Sequence, residues 1–272
     1  MPSTTLESEW KRVTQKPVLA KSAFSLFSIH LIVSFFMQYE ISTAPFPPLQ
    51  AADALVHTRE TIINIASKYG MHATFAPRIS MTAPGNATHM HISVHRTGHE
   101  KPRDGLSALE KSFLAGVLDD LTALPSMTLP IPASYRRVVD GIWSGGTYVV
   151  WGAENKECPV RLCNVQSPGS RNFEMKFIDG AAVPYLVVAS IIALGYAGIK
   201  SERELRFPNF TGMDGAAQLS EQERQALGIT QRMPLTWEEG RKNLSTNKLL
   251  REALGGKFVD KYLAINKVRL FF

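Results

Sequence analysis

His89-Met90-His91-Ile92-Ser93 and Glu174-Met175-Lys176-Phe177-Ile178-Asp179-Gly180 alternate polar and apolar residues with the two-residue period of a β-strand. In the first stretch His89, His91 and Ser93 share one face, and Met90, Ile92 and Val94 the other. In the second, Glu174 and Lys176 oppose Phe173, Met175 and Phe177. Each strand therefore buries one face and offers ligand-type side chains on the other. Imidazole with carboxylate suits a divalent cation, and a lysine beside them suits an anionic substrate. Two such strands in one sheet predict a polar, cation-binding cavity over an apolar layer.

Working outward, the chain has 272 residues, enough for one large domain or two small ones. Its charged fraction of 20% and hydrophobic fraction of 44% are those of an ordinary globular protein. The net charge is +6, but Lys and Arg are dispersed among acids, with no polybasic block. That pattern fits a small anionic substrate rather than nucleic acid. Cys158 and Cys163 are the only cysteines, which excludes a four-cysteine zinc site and a disulfide framework. A reducing, cytoplasmic setting is expected. The uncharged run from Ala181 to Ile199 has the length of a membrane span. Pro184 at its start and the amphipathic strands around it read better as a buried helix, so no membrane is expected. The shorter apolar run from Ser22 to Met37 is too short for a confident span and starts too late for a signal peptide.

Periodicity and punctuation place the other elements. Strands are predicted at 38–44, 73–79, 147–152, 160–165 and 173–178. Helices are predicted at 51–69, stopped by Gly70, and at 107–124, opened by a Ser107/Glu110 capping box. Further capping boxes stand at Ser220/Glu223 and Thr236/Glu239, and a last helical region runs from 247 to 262. Residues 1–37 read as a divergent segment, partly disordered or mispacked, and 38–272 as one domain. Strands interleaved with helices, then clustered strands, then helices, give α+β or a barrel-like sheet rather than a doubly wound one.

Several ordered stretches carry a family. Pro47-Pro48-Leu49-Gln50-Ala51-Ala52-Asp53-Ala54-Leu55, Ala73-Thr74-Phe75-Ala76-Pro77-Arg78, His89-Met90-His91, Ser134-Tyr135-Arg136-Arg137, Trp151-Gly152-Ala153-Glu154-Asn155-Lys156 and Asp179-Gly180-Ala181-Ala182-Val183-Pro184-Tyr185 occur in the order seen in glutamine synthetases. From Gln38 onward the chain resembles the C-terminal catalytic domain of a type I glutamine synthetase, most of all the fungal glutamine-synthetase-like branch, which includes fused developmental-signal proteins. The resemblance implies a curved, largely antiparallel sheet, a partial barrel, flanked by helices. It implies an ATP-dependent ligase that joins glutamate to ammonia or another amine through γ-glutamyl phosphate, with Mg2+ or Mn2+ and assembly into a homo-oligomer. Residue by residue, it implies Glu40, His89 and Glu174 as metal ligands and His91, Ser93 and Arg161 at the ATP. Gly85, Arg137 and Lys176 would bind glutamate, and Lys156 and Lys176 would serve phosphoryl transfer.

The departures from the family pattern are equally specific. Ile32 and Val33 stand where a further metal-binding glutamate is expected, and no Glu-x-Glu strand precedes Gln38; Glu7-Ser8-Glu9 lies in a polar tail. The small N-terminal β-grasp domain is absent from the pattern. Trp143 replaces a glutamate linked to ammonium, and Pro84 an asparagine that contacts glutamate. Two readings follow: a γ-glutamyl ligase favouring an amine bulkier than ammonium, or a truncated, catalytically impaired relative with a structural or regulatory role.

Overall fold

Pro48 opens the first long helix and Gly70 closes it. Helix α1 (Pro48–Lys68) starts on a proline, whose missing N–H costs nothing in a first turn. Gly70 turns the chain out with φ 68, a left-handed conformation that favours glycine. The structure is a computed structural model. It describes residues 24–27, 29–33, 37–79, 85–96, 98–141, 144–212 and 215–268, with side chains from Tyr39 to Lys267. Pro84, Trp143 and the Glu7-Ser8-Glu9 tail lie outside the described residues, as do the side chains of Ile32 and Val33.

Strands β1 (Phe24–Phe27), β4 (Met90–Ile92), β5 (Trp151–Ala153), β6 (Val160–Cys163) and β7 (Asn172–Met175) form a five-stranded sheet of order β1-β4-β7-β6-β5. All its pairings are antiparallel except β5 with β6. Strands β2 (Ile29–Val33) and β3 (Met37–Ile41) pair in a separate two-stranded sheet, and the division read at 37/38 falls inside this hairpin.

The apolar face of the larger sheet, with Met90, Ile92, Val160, Leu162, Phe173 and Met175, packs into one core with helices α2 (Ala108–Asp119) and α5 (Pro184–Lys200). The uncharged run is thus the buried helix α5, and among the described residues no helix is long and apolar enough to cross a membrane. Helices α2 and α5 touch backbone to backbone. A Cβ on Gly116 would lie 2.3 Å from the Leu194 carbonyl oxygen, and one on Gly198 would lie 2.2 Å from that of Ser112. Phe113 fills the next turn against Gly195 and stacks on Phe173, ring centroids 6.2 Å apart. Short helices α3 (Pro125–Thr128) and α4 (Pro132–Arg137) carry the chain from the core towards the site. Helices α6 (Glu221–Ala226), α7 (Trp237–Thr246), α8 (Lys248–Leu254) and α9 (Gly256–Val268) complete the fold. The α7–α9 group is pinned by Trp237 Nε1 and Asn266 Nδ2, which both donate to the Pro130 carbonyl, at 3.0 and 2.7 Å.

Three local expectations are corrected. Residues 73–79 form no strand: the Ala76 carbonyl accepts from the Asn86 side chain and the Pro77 carbonyl from its backbone, and Pro77 has no N–H for a ladder. The strand expected at 147–152 shortens to Trp151–Ala153, because Asp140 takes the Thr147 N–H and hydroxyl. At Thr236 the hydroxyl accepts from Glu239 N as foreseen, but the Glu239 carboxylate accepts from Leu235 N, so the box is not reciprocal.

Candidate active site

One cross-strand row organises the polar face. His91 on β4 pairs with Glu174 on β7, Glu174 with Arg161 on β6, and Arg161 with Gly152 on β5. Residues two positions away share that face by the strand period, which adds His89, Lys176, Asn172 and Cys163. Glu174 is the hub. Its Oε1 lies 3.0 Å from His89 Nδ1 and 3.9 Å from His91 Nε2, and its Oε2 lies 3.3 Å from Arg161 Nη1. Burial works to raise its pKa. The His89 hydrogen bond and the charges of His89, His91 and Lys176 outweigh burial and hold the carboxyl at about 2. Burial lowers the His89 pKa, and the hydrogen bond and charge of Glu174 oppose that shift.

Neighbouring amides assign the His91 tautomer. Asn172 Nδ2 donates to the Ser170 carbonyl at 2.8 Å, which turns Oδ1 to His91 Nδ1, also at 2.8 Å. Nδ1 then carries a proton, and Nε2 is the nitrogen on the Glu174 side, 3.9 Å from Oε1. Lys176 follows β7, and its backbone N–H donates to Pro159 O at 2.9 Å. Its ammonium donates to the Lys156 carbonyl, and burial lowers its pKa. The Lys156 side chain itself is exposed on the turn between β5 and β6. Cys163 lies 3.9 Å from Glu174 Oε2, with burial pushing its thiol up to about 12, so it is a neutral packing group.

A second cluster builds the other wall. Arg137, at the end of α4, is 3% exposed, and its Nη2 donates to the Ile178 carbonyl at 3.1 Å. Burial lowers its pKa, and the charge of Asp179 opposes that shift. Gly85 lies against it: a Cβ there would sit 2.5 Å from Arg137 Cγ and 2.9 Å from the Pro77 carbonyl oxygen. Asp179 is fully buried; its Oδ1 accepts from Ala181 N at 2.9 Å, and burial raises its pKa against the pull of Arg137.

Ser93 belongs to a third group. Its hydroxyl accepts from Lys101 Nζ at 3.1 Å, and Lys101 also reaches Glu110 at 3.3 Å. Lys101 lines a cavity of about 440 Å3 together with His95, His99, Arg103 and Gly169. Neither His89 nor Glu174 lines this cavity.

Of the three residues expected to hold metal, the structure brings together His89 and Glu174. Their 3.0 Å separation is that of neighbouring donors on one divalent ion with bonds of about 2.1 Å. Glu40 stands exposed on β3, paired with His30 in the separate two-stranded sheet. Among the described residues, no group of three or more His, Cys, Asp or Glu side chains is placed to hold a metal ion. The described donors fit two positions of a site. Sequence reading missed Asn172, although the strand period places it with Glu174. It also missed Glu154 and Asp179, which lie inside quoted stretches but reveal their roles only through their neighbours in space.

Known proteins agree with this architecture. The family model described as glutamine synthetase, catalytic domain, matches residues 17–270, reaching upstream of Gln38. Protein fluG of Emericella nidulans is 36% identical over 98% of this chain and 30% of its own length. Gamma-glutamylpolyamine synthetase GlnA3 of Streptomyces coelicolor is 36% identical over 84% of this chain and 50% of its own. A solved structure described as a novel glutamine synthase homolog superposes with TM-score 0.78 at 23% identity, over 97% of this chain and 70% of that one. The chain thus spans between about a third and a half of the curated relatives it matches. A catalytic-domain match over nearly the whole chain, on a sheet that sets His89, Glu174 and Arg161 in one polar row, makes this protein a member of the glutamine synthetase family.

Proposed function

We propose that this chain carries the glutamate and nucleotide sites of an ATP-dependent ligase that forms γ-glutamyl amides. The observation that carries the reading is the row His89–Glu174–Arg161 beside the buried guanidinium of Arg137. Arg137 would take a glutamate carboxylate with planar donors, lined by the backbone of Gly85. Arg161 and Lys176 would face phosphoryl oxygens, where a fork and a point charge act differently. Ser93 and His91 would meet the nucleotide, and Lys101, which bonds Ser93, also lines the cavity with Arg103 and Glu100.

In the proposed reaction a γ-carboxylate oxygen of glutamate attacks the γ-phosphorus, and the bond to ADP breaks. An amine nitrogen then attacks the activated carbonyl carbon, phosphate leaves with the carboxylate oxygen, and the amine proton passes to solvent or phosphate. His89 and Glu174 would hold a divalent ion, which would supply charge neutralisation for phosphoryl chemistry. For the amine we favour one larger than ammonium. By the family resemblance Trp143 replaces a glutamate linked to ammonium, and an indole has no acceptor for the ammonium proton. A tryptophan can stack on a cationic amine, and one relative is named for polyamines. Competition between ammonium and a diamine tests this. The diamine should have the higher kcat/KM, Trp143→Glu should shift the ratio towards ammonium, and an unchanged ratio would sink the assignment.

A second reading has one observation in its favour, the lack of a third metal donor among the described residues. Under it the chain binds nucleotide and glutamate but does not turn over. Steady-state ATP consumption with glutamate and an amine separates the two.

A further inference from the structure

A second carboxylate holds Arg161 from the side opposite Glu174. Glu154 directly follows β5 and has φ 54, a left-handed conformation in a residue that carries a Cβ. That conformation costs of order 1 kcal/mol relative to glycine. Both carboxylate oxygens are engaged. Oε1 accepts from Val165 N at 3.1 Å and Oε2 from Arg161 Nη2 at 3.1 Å. The other terminal nitrogen of Arg161, Nη1, reaches Glu174 Oε2 at 3.3 Å, so the guanidinium is shared between two acids. The Glu154 side chain is 49% exposed, and an ion pair so exposed adds little to stability. The ion pair's contribution to stability therefore does not by itself account for the strained backbone kept here.

We propose that Glu154 is a positioning residue that draws the Arg161 guanidinium off Glu174 and aims it at nucleotide phosphate. Without Glu154, the arginine fork would close on both oxygens of Glu174, the favoured geometry of such a pair. That collapse would occupy the carboxylate wanted for metal and the cation wanted for phosphate at once. The proposal rests on reading Arg161 as a nucleotide ligand.

The test is ADP binding in the presence of Mg2+ by calorimetry, with melting temperature, for wild type, Glu154→Gln and Glu154→Gly. Gln keeps an oxygen for Val165 N and keeps the strain but loses the charge. Gly removes the carboxylate and relieves the strain. Both variants should bind ADP about tenfold more weakly. The Gln variant should melt within about 2 °C of wild type and the Gly variant at or above it. Unchanged ADP affinity in both variants would overturn the positioning role and leave the nucleotide site standing. An affinity loss that tracks a lowered melting temperature in both would make Glu154 structural and also overturn it. Wild type that binds no ADP would overturn the reading of Arg161 and this inference with it.

Discussion

Arg137 is a charge kept where charge is costly. At 3% exposure its guanidinium has lost nearly all its water, and carbonyl oxygens of the Lys176–Ile178 segment replace part of it. Asp179, itself buried, supplies the opposite charge acting on it. Gly85 sets how closely the chain can approach the arginine stem. Gly85→Ala would force either Arg137 or the Pro77 carbonyl to move, because the new carbon starts 2.5 and 2.9 Å from them. The expected outcome is glutamate binding at least about tenfold weaker with ADP binding unchanged, measured by titration calorimetry. Equal losses for both ligands would mean a general defect rather than a displaced arginine. Arg137→Lys should weaken glutamate binding comparably, since an ammonium lacks the planar fork. Gly85 and Arg137 were legible as family positions. Asp179 was not, because nothing in its own stretch says that the charge of Arg137 acts on it.

At the scale of elements, Glu110 serves two structures at once. Its carboxylate closes the capping box of α2 on Ser107 and also takes Arg171 Nη2 at 2.9 Å and Nε at 3.2 Å. Burial acts to raise its pKa, but Arg171, Ser107 and Lys101 together hold it below the ordinary 4.5. Glu110→Gln leaves Arg171 buried at 0% exposure without its anion, and should cost about 3 kcal/mol in chemical denaturation. The linkage has a definite sign: a carboxylate with a depressed folded pKa stabilises fully above pH 4.5, and that contribution disappears as pH falls through the folded value. The wild-type stability curve should therefore fall more steeply below that pH than the variant's; parallel curves would contradict the pairing. Gly116→Ala drives a methyl into the Leu194 carbonyl of α5, and should cost about 2–3 kcal/mol by wedging the helices apart. A variant as stable as wild type would show that the helices can slide. The cap was readable because Ser107 and Glu110 are three residues apart. The ion pair was not, because Arg171 lies 61 residues further on and out of phase with the polar face of β7. Residues 73–79 misled for a related reason: β-type composition does not reveal that Asn86, rather than a neighbouring strand, takes the carbonyls.

Across the whole molecule, an apolar helical layer supports a sheet whose other face gathers His89, His91, Glu174, Arg161 and Lys176. The strand period predicted that division for the His89 and Glu174 strands, and the register adds Arg161 opposite Glu174. What sequence could not supply was the pairing of β2 with β3 in a sheet of their own. With two donors grouped among the described residues, Mn2+ should bind weakly and His89→Ala should abolish that binding in calorimetry; tight binding that survives the substitution would point to other ligands. The central claim is that ATP activates the glutamate side-chain carboxylate on this face. It is tested most directly by supplying glutamate labelled with heavy oxygen in that carboxylate, together with ATP, Mg2+ and a diamine, and analysing the released phosphate by mass spectrometry. Passage through γ-glutamyl phosphate predicts one labelled oxygen in each phosphate formed. Unlabelled phosphate, or none released when both ATP and glutamate bind, would contradict it.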